Sequence, residues 1–96
     1  MQQPSTAITR DAAALRALVA EGVRQNPVVF VSDPVLLARL ADPAADCSFE
    51  ALGFDSLARM ELCIWIQLEA GLEVTEAEML DHPSVAALSA HLAARG

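Results

Sequence analysis

Few residues in this chain can do chemistry, and one of them sits in a well-defined local frame. The stretch FEALGFDSLARMEL, Phe49 to Leu62, carries Ser56 directly after Asp55, with no histidine or lysine close by. A serine nucleophile needs a base within hydrogen-bond reach, itself oriented by a third group. The only histidines, His82 and His91, lie well beyond this stretch, and the strand-turn-helix setting of a G-x-S-x-G elbow is absent. Cys47 and Cys63 have neither C-x-x-C nor metal-ligand spacing, and no glycine loop able to cradle a phosphate occurs. Catalysis by this chain alone is therefore not expected. Ser56 is left either as a helix-start residue, since Asp and Ser both favour helix N-termini, or as a residue on which another enzyme acts.

The elements that must position Ser56 follow from caps and periodicity. Residues 1–8 read as a flexible leader, and the folded domain is expected over 9–96. Thr9 can cap a first helix over about 10–23, with Asp11 in its first turn and Ala12, Leu15, Leu18, Val19 and Val23 recurring at helical steps. That helix should fail near Asn26, which Pro27 pushes out of helical geometry. VVFV at 28–31 has strand-like composition but no partner run, so it reads as an extended segment laid over the core. Asp33 as N-cap and Pro34 at the first helical position start a short helix over about 34–41, with Leu36, Leu37 and Leu40 on its apolar face.

Asp55 caps a long helix running to Ala70, after a tight turn at Gly53 and before a left-handed Gly71. Thr75-x-x-Glu78 is a capping-box pattern that opens a short helix over about 75–80. A last helix, about 84–94, enters at Pro83, buries Val85, Leu88 and Leu92, and ends before Gly96. His82 belongs to the turn before it and His91 to its surface or flank. The fold class is all-α, a bundle of three main helices plus one or two short ones.

Composition narrows the partners. Ninety-six residues make one small domain, and nineteen are alanine, which favours helix but adds little buried area. Phe30, Phe49, Phe54 and Trp65 are the only aromatics and should anchor whatever core or interface exists. Thirteen carboxylates against six arginines give a net charge of −7, which argues against nucleic acid and anionic membranes and for a basic docking surface on a partner. The N-terminus has no signal-peptide pattern and no apolar run reaches membrane-spanning length, so a cytoplasmic protein with two reduced thiols is expected, a disulfide being the alternative.

The longer pattern around Ser56 resembles the attachment site of acyl carrier and peptidyl carrier proteins. The matching features are Phe49, Leu52-Gly53, Asp55-Ser56-Leu57 and Glu61-Leu62, and downstream GLEV and DHPSVAALSAHL look like the family's connection into its final two helices. The resemblance spans about residues 46–94, and the first helix fits it more loosely. It implies an acyl-carrier-like bundle in which a phosphopantetheinyl transferase, using coenzyme A and Mg²⁺, esterifies Ser56 with 4'-phosphopantetheine. The base then comes from the transferase. Asp55 would cap the helix and present a carboxylate to the transferase, and Gly53 would let the backbone turn. The physics agrees, because a helix N-terminus favours a nearby phosphodiester.

The same resemblance implies a discrete, monomeric carrier. It would hold acyl or aminoacyl intermediates as thioesters for an acyltransferase, an adenylating enzyme or a synthase. The pathway it implies is a polyketide, nonribosomal-peptide or related one, and the DSLxxxEL and DHPSVAAL wording looks closer to polyketide-type carriers than to the fatty-acid kind. A carrier-like interaction module that is never modified is the alternative.

On a helical wheel the family's core positions fall on Leu62, Cys63, Ile66 and Ala70. Leu57, Met60, Glu61, Ile64, Trp65 and Leu68 occupy the opposite half, where the resemblance would lead one to expect several carboxylates. Two readings compete for this apolar half. Either the 25–48 segment, longer than the family's usual first loop, covers it, or it is a docking patch beside Ser56. For Trp65, packing within the domain competes equally with docking.

Overall fold

Helix starts in this chain are set by side chains that hold otherwise unpaired amides, as the computed structural model, which describes residues 11–95, shows at each helix. Asp11 Oδ1 accepts the Ala14 amide at 2.7 Å and starts α1 (Ala12–Arg24). Asp33 Oδ1 accepts the Val35 amide at 2.8 Å and starts α2 (Pro34–Ala41), with Pro34 leading. Asp55 starts α3 (Ser56–Ala70), which Gly71 ends in the left-handed region at φ 68°. Thr75 and Glu78 form the complete capping box of α4 (Glu76–Asp81). For α5 (Val85–Arg95), Ser84 Oγ takes the Ala87 amide and Asp46 Oδ1, from a distant loop, takes that of Ala86.

The all-α bundle of three main and two short helices is thus the one its caps predict. One boundary moves. α1 begins at Ala12 because Asp11, expected inside the first turn, is extended and serves as the cap. Thr9, the 1–8 leader and Gly96 lie outside the described residues.

α1 packs mainly on α5 and α3, and the core they share holds Leu15, Val19, Val23, Leu62, Ile66, Leu88 and Leu92. Met79 plugs α4 into the same core, whereas α2 contributes only Leu40 as a fully buried residue. Leu36 and Leu37 pack against it half-buried. A buried arginine holds α2 in place. Arg16 Nη1 donates to Leu40 O at 2.7 Å, and its Nη2 reaches Arg39 O, Asp42 O and Ala45 O. Arg39 and Leu40 belong to the last turn of α2, where carbonyls run out of intrahelical donors, and Asp42 and Ala45 belong to the cap and the loop that follow.

The 28–31 segment follows its expected course, with Val29 and Val31 packed against the core. Phe30 points outward and is 86% exposed, so it is no core anchor, unlike Phe49 and Phe54. No helix among the described residues is long and apolar enough to cross a membrane.

Candidate attachment site

The turn before Ser56 is built from buried residues on both sides of a glycine. Phe49, Leu52 and Phe54 are all buried, and the Phe49 and Phe54 rings stack with centroids 5.7 Å apart. The Phe54 amide closes back on Phe49 O at 3.0 Å, and Gly53 between them adopts φ 83°. A Cβ at Gly53 would meet nothing within 4 Å, so the backbone angle, and not lack of room, requires glycine here. The turn is pinned to the junction of α4 and α5, distant in the sequence. Phe49 N donates to Pro83 O at 3.0 Å and Val85 N to Cys47 O at 2.9 Å, around the isolated antiparallel bridge Ser48–Ser84.

This anchoring delivers Asp55 and Ser56 to the surface. Asp55 Oδ1 accepts the Ala58 amide at 2.9 Å, and the Arg59 amide bonds Asp55 O at 3.0 Å. The amides of Ser56 and Leu57, in the first turn, have no intrahelical acceptor, and both residues are exposed. Ser56 opens a groove of about 380 Å³ between α3 and the start of α4, walled by Leu57, Met60, Cys63, Val74 and Glu76. Across its edge Arg59 Nη2 meets Glu76 Oε2 at 3.2 Å. Neither histidine comes to Ser56; both are engaged elsewhere, and no group of three or more His, Cys, Asp or Glu among the described residues is placed to hold a metal ion.

The faces of α3 are sharper than the wheel suggests. Ala58, Leu62 and Ile66 form the buried stripe at four-residue steps, and Ala58 was not among the expected core positions. Cys63 and Ala70, expected in the core, are only half-buried. Cys63 instead looks into the groove that Ser56 opens, and burial, reinforced by Glu76 and Glu78, pushes its thiol up, which keeps it protonated at neutral pH. Cys47 and Cys63 are both free thiols.

On the outer half Leu57, Met60, Ile64 and Leu68 are 48%, 51%, 45% and 78% exposed, so the 25–48 segment does not cover them. Trp65 departs from that group. It is half-buried against the core beside Gly22, and with the partly exposed Glu61 it lines a smaller groove of about 200 Å³ under Pro27.

The helix flanking the groove is tied to α5 by one carboxylate. Glu78 Oε1 accepts the Thr75 amide at 3.0 Å, and Oε2 lies 2.6 Å from His91 Nε2 and 2.8 Å from Arg95 Nη1. The Thr75 amide bond, opposed by partial burial and helped by His91 and Arg95, holds the Glu78 carboxyl at about 2. Since an ionised carboxylate only accepts, His91 Nε2 carries the hydrogen in this contact. His82 stacks on His91 with centroids 4.0 Å apart, so both histidines serve the α4–α5 junction.

Cys63, Val74 and Glu76 wall the groove that Ser56 opens and Arg59 pairs with Glu76, although the sequence reading gave none of the four a place beside Ser56. Arg59 and Cys63 were within reach of the sequence, three and seven residues after Ser56 on one helical face. Val74 and Glu76 come from beyond the end of α3, and no local pattern places them there.

Comparison with known proteins agrees with this geometry. A highly reducing polyketide synthase of Pyricularia oryzae is 37% identical over 84 residues, covering 88% of this chain and 3% of that protein. A protein of the spectinabilin polyketide synthase system of Streptomyces orinoci is 42% identical over 50 residues, covering 52% of this chain and 1% of its own length. No solved structure gives a significant match. The family model described as the phosphopantetheine attachment site matches residues 35–92, which is more than half of the chain, and the chain belongs to that family.

Proposed function

We propose that Ser56 is the residue that takes the phosphopantetheine and that the protein holds acyl intermediates for a polyketide synthase system. As a member of this family the chain is a carrier of phosphopantetheine and not itself an enzyme. When bound, that group supplies a terminal thiol on which an acyl cargo rides as a thioester. The observation that carries the reading is the exposed Ser56 hydroxyl at the first turn of α3, fixed by the Asp55 cap and the φ 83° turn at Gly53.

The residues present fit the group. Two first-turn amides and the positive end of the α3 dipole favour a phosphodiester at Ser56, and an apolar-walled groove begins at the same residue. Leu57 and Met60 wall the groove at Ser56 and Ile64 follows further along α3, an exposed apolar surface on which a phosphopantetheinyl transferase and the synthase's own enzymes would dock. Glu61, Trp65 and Leu68 extend that face. An acyl cargo is favoured over an aminoacyl one because both relatives belong to polyketide synthase systems. Action as a discrete carrier, shuttling between separate enzymes, is part of the same proposal; the chain spans only a few per cent of those relatives' length.

The test is direct. Purified protein is incubated with coenzyme A, Mg²⁺ and a promiscuous phosphopantetheinyl transferase, and the intact mass is recorded. The expected result is gain of a single phosphopantetheinyl group in the wild type and none in Ser56→Ala. No gain beside a carrier that is modified under the same conditions would leave the unmodified interaction module as the better reading.

A further inference from the structure

Arg59 stands one helical turn after Ser56, and its guanidinium is incompletely satisfied. Nη2 reaches Glu76 Oε2 at 3.2 Å, whereas Nε is buried with no acceptor among the described residues. Helical side chains lean toward the N-terminus and cover the turn before their own Cα, which for Arg59 is the turn that begins at Ser56. Glu76 borders the groove that Ser56 opens, so its partner Arg59 has its head at the edge of that groove.

Charge gives the guanidinium a reason to move. A phosphodiester on Ser56 adds a negative charge beside Asp55 and Glu76, in a chain of net charge −7. The other arginines within the described residues are committed elsewhere: Arg16 and Arg39 to backbone carbonyls, Arg24 to Glu21, and Arg95 to Glu78. Holding Arg59 to Glu76 is worth little, since the Glu76 side chain is 54% exposed and water screens an exposed ion pair. A phosphodiester offers two unesterified oxygens, which suit the fork of an arginine better than a single carboxylate oxygen does.

Resting on the reading of Ser56 as the attachment residue, we propose that Arg59 binds the phosphodiester of the attached arm. In the unmodified protein it is parked on Glu76; on modification it exchanges that carboxylate for the phosphate and ties the base of the arm to α3. Arg59 thus sets the direction in which the arm leaves the helix.

The experiment compares ¹⁵N-labelled apo and holo protein, with complete modification established by mass. The Arg59 Nε–Hε cross-peak, identified by its loss in Arg59→Lys, is expected to shift on modification as Nε gains an acceptor. The ³¹P resonance of the holo protein is expected to shift in Arg59→Gln, to shift less in Arg59→Lys, and to stay near the wild-type position in Glu76→Gln. A fully modified wild type whose Arg59 cross-peak stays at its apo position, with one ³¹P position across these variants, would overturn the role of Arg59 alone. No mass gain in the wild type would overturn the attachment reading and this proposal together. If Arg59→Gln does not fold, the wild-type cross-peak and Arg59→Lys decide the matter.

Discussion

Gly22 of α1 and Trp65 of α3 meet with no side chain between them. A Cβ at Gly22 would lie 2.8 Å from Trp65 Cε3 and 2.6 Å from Leu62 Cδ1. Leu62 is fully buried and has nowhere to yield, so the two helices would have to separate or the indole would have to leave its seat. Gly22→Ala should therefore destabilise the fold by about 1–2 kcal/mol, the overpacking cost exceeding the roughly 1 kcal/mol that alanine gains in a helix. A urea titration followed by Trp65 fluorescence measures it. Unchanged or increased stability would show that the α1–α3 contact is looser than this distance.

Arg16 is the clasp on α2. Arg16→Met leaves the carbonyls of Leu40 and Ala45 without a donor and takes the second donor from those of Arg39 and Asp42, and the expected loss is about 2–4 kcal/mol. Arg16→Lys should recover only part of it, because one ammonium cannot span four acceptors held by a planar fork. Amide hydrogen exchange should place the added opening in α2, with α3 and α5 protected as before.

Glu78 makes the α4–α5 junction sensitive to acid. Its carboxyl lies near its ordinary 4.5 when unfolded and at about 2 when folded, so on acidification the unfolded chain takes up the proton first. The stabilisation is complete above about pH 5 and is lost as the pH falls through 4.5 toward 2. Glu78→Gln should lower stability at pH 7 and leave a shallower fall toward pH 3. Wild type and variant should converge at the acid end. Parallel curves from pH 7 to pH 3 would remove Glu78 from this role.

The outer face of α3 separates docking from folding. Ile64→Asp, at a position 45% exposed, should cost less than about 1 kcal/mol of stability. Its effect belongs in modification, with an increase of about tenfold in the transferase's KM for the protein, the loss expected for one buried aliphatic contact. Two positions along, Ile66→Ala should cost about 2–5 kcal/mol, because Ile66 is fully buried. A large drop in stability for Ile64→Asp would instead mean that the face is covered within the domain.

Most of what closes within one turn of chain was legible in the sequence, the Asp11 cap of α1 excepted. Asp33, Asp55, Thr75 with Glu78, and Gly71 were each legible, because a cap joins atoms three or four residues apart and needs no distant partner. The Ser56 frame was legible for the same reason, since the Asp55 cap and the Gly53 turn are its immediate neighbours.

Tertiary structure alone decided which residues share a surface. Trp65 sits on the outer half of a wheel, yet it is half-buried because Gly22, forty-three positions earlier, leaves room for its ring. Val74 and Glu76 join Ser56, and Arg16 finds carbonyls 23 to 29 residues away, through helix crossings that no local window encodes. Local hydrogen bonds set where each helix begins and ends. The angle and separation at which helices pack set what surrounds Ser56, and those depend on every side chain in the core at once.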